Sequence, residues 1–235
     1  MIKLSDRLQL IADKVEIGET MADIGTDHGF LPLHLIAQGI SPKAIMCDIS
    51  GPSLNKAREA AEEYGISEGA SFREGDGLDI LEDGEVDTVV IAGMGGVLMT
   101  EIMGKDLHKS RSFKKYILQP RNNAGYLRKW LFDNAFDVSE NLLVREGKFI
   151  CEVIVVCSGK SRQIDDYGPE APQWDLPPAL TSSEKGLVRE FAQYKIYQEN
   201  KRLQGLQMSK NKDEEEIAKA ESRMEYFRRY LDDQI

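Results

Sequence analysis

Asp23-Ile24-Gly25-Thr26-Asp27-His28-Gly29-Phe30 packs two glycines, two carboxylates and an imidazole into eight positions. An apolar, strand-like run at about 20–24 comes before it, and a helical pattern at about 31–38 follows. The turn therefore sits where a strand hands over to a helix. Glycine there lets backbone pass close beneath a ligand. In dinucleotide-binding folds the equivalent turn, GxGxxG, sets a pyrophosphate on the helix N-terminus. Here the second glycine position is Asp27, whose carboxylate would repel a phosphate and attract a cation.

The next strand ends carry matching chemistry. Asp48 follows Gly29 by roughly 20 residues, the spacing of an acid that binds a ribose diol; a helix cap ahead of Gly51-Pro52 is the alternative. In Gly75-Asp76-Gly77 a carboxylate between glycines could accept a hydrogen bond from an adenine amine, or simply make a turn. Ala92-Gly93-Met94-Gly95-Gly96 places three glycines at another strand-to-helix junction. Gln119-Pro120-Arg121-Asn122-Asn123 adds amide and guanidinium groups suited to a base edge or a phosphate, with Asn122 as a helix cap the alternative. S-adenosylmethionine offers a sulfonium, an ammonium, a ribose and an adenine but no phosphate, and it meets this set better than NAD does.

Placing these groups on one rim requires an ordered sheet. Leu4, Leu8, Ile11 and Val15 mark an amphipathic helix starting near Ser5 or Asp6. Strands are then expected at about 20–24, 44–49, 70–74, 87–92 and 115–119. They alternate with helices at about 31–38, 52–64, 96–104 and 123–134. Such alternation predicts an α/β fold with a mostly parallel sheet covered on both faces. Phe136 to Val144 and Phe149 to Cys157 are joined by only four residues, which predicts a terminal antiparallel hairpin. Ligands in open α/β sheets sit at the carboxyl ends of the strands, where every candidate above falls.

Residues 1–160 are read as this catalytic domain and 161–180 as a Gly-, Pro- and Asp-rich linker. In 181–235, Val188, Ala192, Ile196, Leu203 and Leu206, then Ile217, Ala220, Met224, Phe227 and Leu231, trace two helices. Lys210 to Asp213 would turn the chain into a coiled-coil-like hairpin, which either buries its own seam alone or serves as a contact surface.

Thirty basic against forty acidic residues give a net charge of −10, which argues against nonspecific binding of nucleic acid. A polyanion would have to be gripped by patches. Cys47, Cys151 and Cys157 are odd in number and lie in strand-like sequence, so they read as reduced core thiols. The three histidines lack metal-ligand spacing, and no metal is expected. No transmembrane span or signal peptide is evident, which reads as a cytoplasmic protein.

Taken together, these residues resemble the bacterial tRNA (adenine-22, nitrogen-1) methyltransferase family, a group of class I S-adenosylmethionine-dependent enzymes with a Rossmann-like sheet. The resemblance is carried by Leu4-Ser5-Asp6-Arg7-Leu8, Asp23 to Pro32, Gly51-Pro52, Gly75-Asp76-Gly77-Leu78, Ile91 to Gly96 and Leu118-Gln119-Pro120. One departure is Arg121-Asn122-Asn123, where asparagine directly after the proline is expected. The resemblance implies methyl transfer to adenine in the D-arm region of tRNA. It implies a donor pocket lined by Gly25, Asp27, His28, Asp48, Ile49, Asp76, Gly77 and Gly93, with Arg7 at its rim. Asp27 would accept a hydrogen bond from the amino group of the target base. Phe30 would stack that base, or it is a core residue of its helix. Arg121, Asn122, Arg128, Arg145 and Lys148 would hold the tRNA at the rim, aided by Lys129. Arg223, Arg228 and Arg229 on the last helix either join them or form a solvated face. Competing readings are a methyltransferase acting on another RNA or a small molecule, a nicotinamide-dependent dehydrogenase using Asp48, and a non-catalytic binding module.

Overall fold

The computed structural model describes residues 2–158, 167–209, 211 and 213–233. Helix α1 (Asp6–Ala12) starts at Ser5, whose hydroxyl accepts the Leu8 N–H. The expected alternation follows: β1 (Met21–Ile24), α2 (Phe30–Ala37), β2 (Ala44–Asp48), α3 (Gly51–Glu63), β3 (Ala70–Glu74), β4 (Thr88–Met94), α4 (Gly96–Gly104), β5 (Lys115–Pro120) and α6 (Ala124–Asp133). A six-residue helix not expected from sequence, α5 (Leu107–Ser112), interrupts the series. It is capped by Asp106, which accepts the His108 and Lys109 N–H groups. β6 (Asp137–Glu146) and β7 (Phe149–Cys157) form the antiparallel hairpin.

The strands form one eight-stranded sheet in the order β3-β2-β1-β4-β5-β7-β6-β8. β1 pairs in parallel with β2 on one side and β4 on the other, so the winding reverses between β1 and β4. Such a reversal opens a crevice at the carboxyl ends of these strands. Alternation along β4 assigns its two faces. Val89 and Ile91 pack with Met99, Met103 and Leu127 from α4 and α6, while Val90 packs with Ile11, Leu31 and Leu35 from α1 and α2. All three cysteines are free, and burial pushes the Cys47 thiol up to about 12, so it stays protonated in the core.

The stretch 161–180 departs from the expected linker over the part that is described, 167–180. Pro172–Trp174 makes a 3-10 turn, and the buried Trp174 indole N–H donates to Gly168 O at 2.8 Å. Leu176 is fully buried. Leu180–Ser182 forms β8, paired in parallel with β6 through Asn141↔Leu180. Composition marked this stretch as loop. Its few large apolar residues nevertheless each bring about 1.5–3 kcal/mol on burial, enough to hold it against the sheet.

The last two helices are α7 (Leu187–Met208) and α8 (Glu214–Asp232), the latter capped by Asp213. Of the turn expected at 210–213, residues 210 and 212 lie outside the described residues. The hairpin does more than bury its own seam. Phe191, Ala192, Phe227 and Tyr230 pack with Leu143 of β6 and with Leu176 and Leu180. Among the described residues no helix is long and apolar enough to cross a membrane, and no acidic, histidine or cysteine group could hold a metal ion.

Candidate active site

Asp23, at the end of β1, is 9% exposed and takes the Thr26 hydroxyl as a hydrogen-bond donor. Burial raises its pKa to about 6, against the opposing pull of Thr26 and Arg7. Gly25 and Thr26 donate their N–H groups to Cys47 O at 2.7 and 2.9 Å, which pins the turn to β2. Asp48 closes β2 with one carboxylate oxygen 2.7 Å from Ser50 N. The cap of α3 is Ser50, whose hydroxyl accepts the Ser53 N–H at 3.4 Å, so the cap reading of Asp48 fails and its carboxylate orients the capping residue instead. Ile49 beside it is 74% exposed. Asp76 and Gly77 follow β3, and Lys105 Nζ lies 3.1 Å from the Asp76 carboxylate.

Gly93 marks a register shift between β4 and β5, has φ +76°, and a Cβ there would meet nothing within 4 Å. Its N–H donates at 3.1 Å to Gln119 Oε1, which also accepts Arg7 Nη1 at 3.0 Å. Arg7 is further held by Glu146, whose carboxylate accepts its backbone N–H at 3.1 Å. The ends of β4 and β5, the start of α1 and the end of β6 are thus joined behind the crevice. Gly96 answers a different need from the ligand approach its motif suggested. A Cβ there would lie 2.4 Å from Asn123 O, and the Gly96 N–H donates to Asn122 O at 3.0 Å. The cap of α6 is Asn123, with φ 53° and no side-chain cap bond, so the cap reading of Asn122 fails by one residue.

On the opposite lip, Asp27 is exposed and paired with Lys56 Nζ at 2.9 Å, which holds its carboxyl below the usual carboxylate range. The His28 ring stands edge-on to Phe30, with centroids 5.3 Å apart. His28 Nδ1 is buried without a hydrogen-bond partner; the Asp27 carboxylate lies 3.7 Å away. Phe30 is 39% exposed at the start of α2, which removes it from the core and leaves a ring face open at the rim. Lys56 was not expected at this rim. Lys56 lies 29 residues from Asp27 on an ordinary polar helix face, so no local pattern could have linked them.

The basic residues expected to grip tRNA divide sharply. Arg121 is exposed on the rim beside Asn122, and Lys148 is exposed in the β6–β7 turn with its ammonium over the Phe149 ring. Arg128 is not at the surface. It is 3% exposed and donates to Asn141 Oδ1 at 2.7 Å, Glu152 Oε2 at 2.6 Å and Trp174 O at 2.9 Å. Facing inward from α6, it ties that helix to β6, β7 and the segment before β8, and its burial keeps it from a phosphate at the surface. Arg145 is held bidentately by Glu190 and by Glu184, so its charge is already answered within the protein. Lys129 pairs with Asp133, Arg223 with Asp175 and Glu199, and Arg229 with Glu225.

Comparison with known proteins fits this geometry. The family model described as methyltransferase domain matches residues 4–154. The tRNA (adenine(22)-N(1))-methyltransferase of Bacillus subtilis (strain 168) is 34% identical over 158 residues, 67% of this chain and 66% of that one. The matched stretch thus spans just under two thirds of that relative. A solved structure from Streptococcus pneumoniae, described as a candidate tRNA (m1A22) methyltransferase in complex with S-adenosyl-L-methionine, superposes with TM-score 0.79 at 27% identity. That superposition covers 97% of this chain and 100% of the other. The B. subtilis M1A22 tRNA methyltransferase TrmK shares the fold, with TM-score 0.85 at 24% identity over 98% of this chain and 100% of the other. The structural likeness therefore extends over the helical hairpin, whereas the match to the B. subtilis relative spans about two thirds of the chain.

Proposed function

This chain belongs to the methyltransferase domain family, and from that premise we propose that it transfers a methyl group from S-adenosylmethionine to nitrogen-1 of adenine 22 in tRNA. The observation that carries this reading is the crevice between β1 and β4. Four carboxylates, Asp23, Asp27, Asp48 and Asp76, lie at its strand ends, suited to a cationic donor and unsuited to pyrophosphate. The donor fits two further features, the open space above Gly93 and the unpartnered His28 Nδ1. The named neighbours, methyltransferases acting on adenine 22, support the choice of acceptor.

When bound, S-adenosylmethionine supplies an electrophilic methyl group. Asp48 would hold the ribose hydroxyls with Ile49 beside it, Asp76 and Gly77 the adenine, and Gly25, Asp27, His28 and Gly93 the remaining wall, with Arg7 at the rim. Adenine nitrogen-1 has its own lone pair, so no side chain must first remove a proton, and positioning carries most of the catalysis. Phe30 provides a ring face for the target base. The product base is cationic until its amino group loses a proton, and Asp27, kept ionised by Lys56, accepts a hydrogen bond from that amino group. Arg121, Asn122 and Lys148 are placed to touch the tRNA. Arg128 is withdrawn from that set, and Arg145 would act on tRNA only through the hairpin it anchors. This activity places the protein in the cytoplasm with its tRNA substrate.

The test is transfer of labelled methyl to an unmodified tRNA transcript and to one with adenine 22 replaced, followed by nucleoside mass spectrometry. Label recovered as 1-methyladenosine only from the first transcript is the expected result. Equal labelling of both would overturn the position, and no labelling of either would overturn tRNA as acceptor.

A further inference from the structure

A cavity of about 430 Å³ lies away from the crevice, between α6, the 169–175 segment and the α7–α8 hairpin. Tyr126, 55% exposed on the first turn of α6, forms one wall, and Trp174 and Pro172 contribute another. Gly125 leaves room for the Asp175 carboxylate at this wall; a Cβ there would come within 2.4 Å of Asp175 Oδ1.

Four cations also face the cavity, yet they do not make it a phosphate site. Arg223 lies 2.6 Å from Asp175 and Arg202 2.6 Å from Glu216, while Lys219 lies 3.1 Å from Glu170. The fourth, Lys129, pairs with Asp133 at 2.5 Å. A phosphate entering here would displace these pairs and meet three carboxylates. A flat, neutral heterocycle would not. Its faces would stack on aromatic and proline surface, its ring N–H or amino groups would donate to the carboxylates, and its ring nitrogens or carbonyl would accept from the guanidinium groups. The volume falls within the range of small-ligand pockets.

Position identifies the occupant. Tyr126, in the first turn of α6, follows Asn122 by four residues, and Asn122 O accepts the Gly96 N–H at the carboxyl end of β4. A nucleic acid whose target base enters the crevice would carry its neighbouring nucleotides across this cavity. We infer that the cavity receives a second, unpaired base of the tRNA substrate, stacked on Tyr126, and so reads the shape of the strand beside the target. This rests on the reading of tRNA as the acceptor.

The full-length protein is compared with Tyr126→Ala and Tyr126→Phe for tRNA affinity, for KM and kcat in methyl transfer, and for donor affinity. Loss of one base stack lowers tRNA affinity and raises its KM by about 10- to 100-fold. kcat and donor affinity stay within about twofold, and Tyr126→Phe behaves as wild type because stacking needs no hydroxyl. Transcripts with an abasic site at each unpaired position near the target then identify the base. At one position the abasic change weakens binding by the wild-type protein but not by Tyr126→Ala. Unchanged tRNA affinity in Tyr126→Ala, or strict additivity at every abasic position, overturns the inference. If the variant and abasic effects appear while methylation falls on another nucleotide, the cavity assignment stands and only adenine 22 is lost. If wild-type protein binds no tRNA, both readings fall.

Discussion

Arg7 Nη1 donates to Gln119 Oε1, and that single oxygen also accepts the Gly93 N–H. Gln119 is 3% exposed, so neither bond has water as a ready substitute. Replacing it with leucine leaves the Gly93 N–H and the Arg7 guanidinium without this acceptor. Gln119→Leu is expected to weaken donor binding about tenfold by titration calorimetry. Gln119→Glu keeps an acceptor oxygen in place and should bind nearly as wild type. Equal affinity in all three would deny the network any part in shaping the crevice.

Asp23 gives the protein an unusual pH response. A carboxyl whose folded pKa is raised holds its proton more readily in the folded state, so its contribution to stability is lost as pH rises. With a folded value of about 6 against an ordinary 3.8, the loss runs between about pH 4 and 6 and amounts to about 3 kcal/mol. Glu85 and Asp87 act oppositely in a lower window. Arg73 and Lys114 respectively hold each down to about 2, so their stabilisation disappears as pH falls below about 4. Denaturant titrations across pH should show stability greatest near pH 4–5, and Asp23→Asn should abolish the fall above it. Donor affinity should drop about tenfold from pH 7.5 to 5 in wild type only, since protonation removes a negative charge from the crevice.

Arg128→Ala should be a stability variant and not an RNA-binding one. Removing one partner of a buried ion pair costs about 3–5 kcal/mol, and Glu152 would be left with the more distant Lys195, at 3.8 Å, to answer its charge. Thermal melts should show the loss. At a temperature where the variant remains folded, its KM for tRNA should equal wild type.

Asp27 and Phe30 should separate in single-turnover methyl transfer. Asp27→Ala is expected to slow the step at least tenfold at saturating tRNA, consistent with charge stabilisation of the product base. Phe30→Ala should mainly raise the tRNA concentration required, with Phe30→Tyr close to wild type. A full-rate Asp27→Ala enzyme would remove that residue from the chemistry.

Patterns of local origin were legible in the sequence. Val89-Val90-Ile91 read as a strand covered on both faces, the Ile217-to-Leu231 spacing read as a helix, and the strand-end acids fell on one rim. Contacts made across the fold were not legible. Nothing near Arg128 announces Glu152 on β7, nor anything near Asp27 its partner Lys56. Leu180-Thr181-Ser182 is too short for any periodicity, and only β6 beside it makes it a strand. Asp106 could have flagged α5 as a cap, but the helix behind it is six residues long.

β8 decides what happens to a shortened chain. Cut after residue 160, the protein would keep every crevice residue but expose the outer backbone of β6 over Asn141 to Leu143, the stretch that β8 covers. A bare row of N–H and C=O groups beside apolar side chains such as Leu143 is a template for pairing with another molecule. The isolated residues 1–160 are therefore expected to self-associate, and β8, held in place by the hairpin side chains packed on Leu180, serves the sheet as a built-in guard against aggregation.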